Sequence, residues 1–291
     1  MGLDRTKRNR RGARAGFSLN KRRLLLGAGV LAGGAGVAYL AKSFQPKPAK
    51  LDLSQYELTF SEEFNAPDFS LDEFFKRWYP HTPWHGDFGD AAFADPQPEA
   101  PFTVSNGNLR IEASKDPAGK WHSGLIASVQ PDGQGFSQRY GYFEVRVKLP
   151  PGPGVWPAFW LDSMVPKGIN DPSVEVDVFE YYGQFPEYYH STVIVWPAGG
   201  GKNHSVSTMT KVEAGTLSNE FHVFGVSVEP DWIVVFLDGS ETWRTPTPAE
   251  HKHELMILLD LALGSGWPID KTLNPSYMYI DYVRAYKLKG R

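Results

Sequence analysis

Beyond residue 100 the chain alternates apolar and polar positions with a period of two in one segment after another. Leu109-Arg110-Ile111-Glu112-Ala113, Tyr142 to Leu149, Phe221 to Val228, Trp232 to Leu237 and Met278 to Tyr286 all carry it. Each predicts a strand with one buried face. Ser105-Asn106-Gly107-Asn108, Pro131-Asp132-Gly133, Glu229-Pro230-Asp231 and Asp238-Gly239 punctuate these runs with turn-forming residues. Leu255 to Leu263 is apolar but for Asp260, the pattern of a strand covered on both faces. Helical spacing occurs only around Ser70 to Trp78, and no repeat with a period of roughly 20 to 50 residues is present. Residues 51–291 therefore predict one all-β domain, an antiparallel sandwich of two curved sheets.

The start of the chain reads differently. Nine Lys/Arg against one Asp fall within residues 1–23, and eighteen uncharged residues follow, Leu24 to Ala41, five of them glycine. A basic segment leading into an apolar one marks an export signal or a membrane anchor. Arg22-Arg23 ahead of Leu24-Leu25-Leu26, with Ser18 upstream, resembles the twin-arginine kind of signal. Eighteen residues also reach the roughly 17 that span a bilayer, so an uncleaved anchor stays open. Either way the expected partners of residues 1–41 are the export machinery or the membrane. The body is then expected to be exported: periplasmic, extracellular or anchored facing outward. Residues 42–50, with Pro46 and Pro48 among lysines, predict a short stiff linker.

Charge and cysteine usage narrow the function. The net charge of -3 conceals a body near -11 beyond residue 23, a sign that repels phosphate backbones and argues against a nucleic-acid partner. The sequence has no cysteine, which excludes disulfides, thiolate metal sites and cysteine nucleophiles. The body is expected to be a monomer.

The chemistry gathers in Ser173-Val174-Glu175-Val176-Asp177-Val178-Phe179-Glu180-Tyr181-Tyr182-Gly183. Glu175 and Asp177 share one strand face, whereas strict alternation turns Glu180 into the sheet interior, where an ionised carboxylate is costly. One β-bulge near Val178-Phe179 restores it to the acid face. Glu175 and Glu180 then stand effectively four steps apart, roughly 13 Å at Cα, with carboxyls about 5 to 6 Å apart, the separation of a retaining glycosidase. One glutamate has to be ionised and the other protonated, and the charge of Asp177 between them helps to split their proton affinities. An acidic solvated face of an edge strand would show the same triplet.

Aromatic residues near the triplet favour the chemical reading. Trp156 and Trp160 lie just ahead of the acid strand, Trp267 sits in the loop Gly264-Ser265-Gly266-Trp267-Pro268, and Trp196 precedes Pro197. Sugar rings stack their apolar faces on indoles while polar groups meet their hydroxyls. Burial of Trp156 and Trp160 in the core is the plain alternative. Arg146 shares a polar strand face with Glu144, either as a sugar contact or as half of an ion pair.

With these blocks in order, the chain resembles glycoside hydrolase family 16, the laminarinase and lichenase group. The resemblance rests on the bulged E-x-D-x-x-E form at Glu175 to Glu180, Tyr140 to Trp160, Phe221 to Gly225, Leu259 to Pro268 and Tyr279 to Arg284. It implies a β-jelly roll of the concanavalin A-like kind with a substrate cleft on the concave sheet. It makes Glu175 the nucleophile, Asp177 the assisting acid and Glu180 the general acid/base, and it places Trp156, Trp160 and Trp267 along the cleft. Many members carry a Thr-x-His pair in the next strand; here His190 is present, but Ile194 stands at the expected histidine position. His190 is either a substrate contact or an ordinary strand histidine. The resemblance also implies a structural calcium on the convex side, held by Glu63, the carbonyl of Gly107 and Asp281, oxygen ligands of the kind calcium prefers. Catalysis needs no cofactor.

The expected function is thus a secreted retaining endo-β-glycanase acting on β-1,3- or mixed β-1,3/1,4-glucan by double displacement. A hydrolase or transglycosylase of another polysaccharide, such as a galactan or a bacterial exopolysaccharide, and a non-catalytic glycan-binding sandwich are the alternatives.

Overall fold

A computed structural model describes residues 50–290 of the protein apart from 66–69, 85 and 166–169. The expected signal or anchor, 1–41, and residues 42–49 of the linker lie outside the described residues. In chain order the strands are β1 (Tyr56–Glu62), β2 (Ala92–Phe93), β3 (Phe102–Ser105), β4 (Asn108–Lys115), β5 (Trp121–Ser123), β6 (Leu125–Ala127), β7 (Ser137–Gln138), β8 (Gly141–Lys148) and β9 (Val155–Ser163). They continue with β10 (Ser173–Glu180), β11 (Tyr188–Trp196), β12 (His204–Lys211), β13 (His222–Val228), β14 (Trp232–Leu237), β15 (Ser240–Pro246), β16 (Leu255–Leu263) and β17 (Ser276–Leu288). Every period-two run became a strand. The helical spacing became α1 (Leu71–Arg77), capped by the Ser70 hydroxyl, which accepts from the Glu73 amide at 3.1 Å. Asn106 and Gly107 both take positive φ, 52° and 72°, as the tight hairpin joining β3 to β4 requires.

The strands form a jelly-roll sandwich. One sheet runs β15-β14-β13-β8-β17-β4-β5-β2, with β1 added to β17 and β3 to β4; the other runs β12-β11-β10-β9-β16-β6, with β7 added to β16. All ladders except β2 with β5 are antiparallel. Between the sheets, Phe143, Val145 and Val147 of β8 and Phe224 of β13 meet Val176, Val178 and Phe179 of β10 in one buried cluster. Among the described residues no helix is long and apolar enough to cross a membrane.

A second, smaller cluster lies on the outer face of the β9 and β16 sheet. Met256, Leu258 and Ala262 of β16 join Trp160, Ala158 and Leu125 there, and Phe93, Phe88, Trp84 and Tyr79 cover them. Meanwhile Leu255, Ile257, Leu259, Leu261 and Leu263 point into the main core. This double cover explains the near-continuous apolar run of β16, and the covering segment forms one wall of an open cavity.

Candidate active site

The acid strand is bulged where its sequence demanded. Asp177 pairs with Thr192 of β11, but the next pair is Glu180 with His190, so Val178 and Phe179 of β10 together oppose the single residue Ser191 of β11. Toward β9 the register slips between Asp177 and Phe179. Val178 and Phe179 consequently both enter the core, with Phe179 lying 4.4 Å from Phe224 between ring centroids. Val178 would face the core in an unbroken strand too, so the irregular register gains the burial of Phe179, roughly 1.5 to 3 kcal/mol. The carbonyl of Val178 accepts the Ser191 hydroxyl at 2.7 Å, so the bulge leaves no buried orphan there.

Past the bulge all three acids face one way. Glu175, Asp177 and Glu180 line a cavity of about 230 Å³ with Trp156, Trp160, Ala158, Thr192, Ile194, Thr82, Phe88 and Asp260. Glu180 accepts both the Trp156 indole N–H and the Tyr182 hydroxyl on Oε1, each at 3.0 Å. Burial raises its carboxyl above the usual range, these two hydrogen bonds oppose the rise, and the charge of Glu175 adds to it. With both donors on Oε1, Oε2 is the oxygen left to carry a proton. Glu175 accepts the Trp196 indole N–H on Oε2 at 2.7 Å. Ile194, directly opposite Glu175, has no donor, and Trp196, two residues on along the same strand, supplies one.

The remaining expected residues divide. Trp156 lines the cavity, stacked on Tyr182 at 6.2 Å and 15°. Trp160 also lines it but is buried, and its N–H goes to Asp260 at 2.8 Å, so it is both wall and packing. His190 sits beside Glu180 on β11, edge-on to Tyr182, and burial lowers its proton affinity. Trp267 is 44 % exposed in a neighbouring cavity of about 430 Å³, edge-on to Phe185 at 5.0 Å. Trp196 spends its N–H on Glu175 rather than on a ligand.

Arg146 is a correction. Its strand, β8, belongs to the opposite sheet, and its guanidinium pairs with Asp281 and covers the Phe221 ring at 4.8 Å. It does not line the cavity. The expected calcium ligands sit in the same region. Both oxygens of Glu63 take the Arg284 guanidinium at 2.8 Å, Ser61 donates to Glu63 as well, and Asp281 is held by Arg146. Each acid already faces a cation, so Glu63, Gly107 and Asp281 as placed do not fit a calcium. Among the described residues no group of three His, Cys, Asp or Glu could hold a metal.

Asp260, Tyr182 and Ser191 are site residues that local pattern alone did not assign. The one available signal was a single acid in an otherwise apolar strand.

Comparison with known proteins identifies the family and the fold. The family model for glycosyl hydrolases family 16 matches residues 97–284. Endo-1,3-1,4-beta-glycanase EglC of Rhizobium meliloti (strain 1021) is 32% identical over 263 residues, which is 82% of this chain and 53% of that protein. ExsH of the same organism, also an endo-1,3-1,4-beta-glycanase, is 34% identical over 200 residues, 65% of this chain and 40% of its own length. The chain thus spans about half or less of these relatives. The solved endo-beta-1,3-glucanase from Pyrococcus furiosus superposes with a TM-score of 0.64 at 24% identity, covering 84% of this chain and 98% of that one, a likeness of fold.

Proposed function

The chain belongs to glycosyl hydrolases family 16, and from that membership and the geometry of β10 we propose that it is a retaining endo-β-glycanase of β-1,3- or mixed β-1,3/1,4-glucan. The observation that carries the reading is the bulge, which turns Glu180 to the side of Glu175.

Glu180 enters the reaction protonated, because burial and the nearby Glu175 charge hold its proton. It donates that proton from Oε2 to the glycosidic oxygen as the bond to the anomeric carbon breaks. Glu175 attacks the same carbon and forms a glycosyl ester, while the Trp196 N–H fixes its other oxygen. Glu180, now ionised, takes a proton from water, the water oxygen displaces Glu175, and the sugar leaves with its original β configuration. Asp177, between them on the same face, adds negative charge where the anomeric carbon turns positive. Trp156 offers an indole wall to a sugar ring. The endo-1,3-1,4-glycanase names of the two relatives support the substrate class, and the basic-to-apolar start of the chain supports export.

The test incubates the full chain with laminarin, lichenan, agarose and carrageenan, reading reducing ends and, by proton NMR, the first-formed anomer. Release from laminarin or lichenan as the β anomer is expected, with Glu175→Gln and Glu180→Gln both folded and inactive. Cleavage of neither glucan, α product, or an unchanged rate in either variant would overturn it.

A further inference from the structure

Two carboxylates face each other across β9. Asp260 on β16 and Glu180 on β10 both stand opposite Ala158, so the three residues form one row over adjacent strands. Both acids line the same cavity. Two strand spacings set their Cα atoms about 9.6 Å apart, and Ala158 interposes only a methyl group. The residues flanking Ala158 on that face, Trp156 and Trp160, each hold one acid: Trp156 donates to Glu180 at 3.0 Å and Trp160 to Asp260 at 2.8 Å. The second oxygen of Asp260 accepts the Ala262 amide at 3.1 Å.

Asp260 is fully buried, and no ion pair among the described residues includes it. Keeping a buried acid without a counter-ion is costly, and an amide or an apolar residue would complete the strand at lower cost. Resting on the functional reading above, we propose that Asp260 is a positioning residue for the acid/base glutamate. It fixes Trp160 in the wall of the cleft, and its negative charge, acting across Ala158, holds the proton on Glu180.

The surroundings leave this task to Asp260 on its side of the cleft. From β10 the groups facing Glu180 are Glu175 and Asp177, with Tyr182 donating to it; from β11 there is His190, whose proton affinity burial lowers. On the face of β9 between the two acids stand only Trp156, Ala158 and Trp160, and the covering segment brings Thr82 and Phe88. Burial lifts the Asp260 carboxyl to about 7, with the Glu180 charge adding to the rise. Two acids so placed do not ionise independently: a charge on either one raises the proton affinity of the other. The charge of Asp260 therefore delays the loss of the Glu180 proton and extends activity toward alkaline pH.

Asp260→Asn keeps an oxygen for the Trp160 indole and removes the charge. Without that charge Glu180 gives up its proton sooner, so the alkaline limb of kcat moves to lower pH by about one unit. On the wild-type alkaline shoulder the rate then falls about tenfold, while on the acid side it stays within about threefold. A second readout needs no turnover: the Trp156 indole N–H resonance, identified with Trp156→Phe, follows the charge on Glu180. Its titration in the full chain is expected to shift down by a similar amount in the variant. Superimposable Trp156 titrations, or a rate loss equal at every pH, would overturn the proposal. Inactivity of the wild-type chain on every glucan would sink the functional reading instead, and the Trp156 titration would still decide this one.

Discussion

The buried Asp260 makes a quantitative prediction about stability against pH. In the unfolded chain its carboxyl titrates near 3.8, and in the folded protein at about 7. A folded state that binds a proton more tightly than the unfolded one is favoured at low pH. The contribution is therefore fully present below about pH 4, declines as pH rises from about 4 to 7, and stays lost above. Between pH 5 and 7 the decline is about 1.36 kcal/mol per pH unit, at most about 3 kcal/mol. For a domain of this size that lowers Tm by roughly 5 to 10 °C. Asp260→Asn has no such proton to lose. Its own amide cost is the same at every pH and cancels when each protein is compared with itself. His190 and His251, whose proton affinities burial lowers, act with the opposite sign in both proteins. Calorimetry of the full chain and the variant at pH 5, 6, 7 and 8, at fixed ionic strength, is expected to show Tm falling more steeply in the wild type. Parallel curves would refute the claim that folding raises the proton affinity of Asp260.

Three further substitutions probe the rest of the arrangement. Trp196→Phe keeps most of the ring but deletes the N–H on Glu175; hydrogen bonds to charged groups contribute about 1.5 to 3 kcal/mol, so kcat should drop roughly 10- to 100-fold with Tm little altered, and wild-type kinetics would exclude the role. Ser191→Ala strands the Val178 carbonyl at the bulge at about 1 to 3 kcal/mol, so urea unfolding should report that loss together with reduced kcat; loss of stability at full activity would show that the bulge holds without it. Arg146→Met removes an ion pair with Asp281 on the other sheet, both partners partly exposed, which contributes at most about 1 kcal/mol; kcat/KM measured on laminarin should match the wild type, and a tenfold fall would return Arg146 to the substrate site.

What the sequence conveys about this site follows from the range over which its signals act. Alternation is a local property, so it exposes strands such as β8 and β17 and singles out Glu180 as the residue that breaks the period of its strand. Because a carboxylate facing the core is costly, that violation is itself the signal of a bulge, and Val178 with Phe179 entering the core together is its structural form. The same locality left Arg146 undecided between a sugar contact and an ion pair: alternation marks a side chain as facing outward, but a sandwich has two outer faces, and only the pairing of β8 with β13 and β17 tells which one. Asp260 was legible as an exception within an apolar strand, yet its partner was not. The row Asp260-Ala158-Glu180 depends on the β16 to β9 and β9 to β10 registers, which bring together residues eighty positions apart in the chain. The donors are hidden for the same reason, since the indoles of Trp196 and Trp156 reach Glu175 and Glu180 from neighbouring strands. Single residues announce that they are chemically unusual, whereas the pairs that would set their proton affinities are written in strand register, and register is where a functional reading of such a cleft has to be tested.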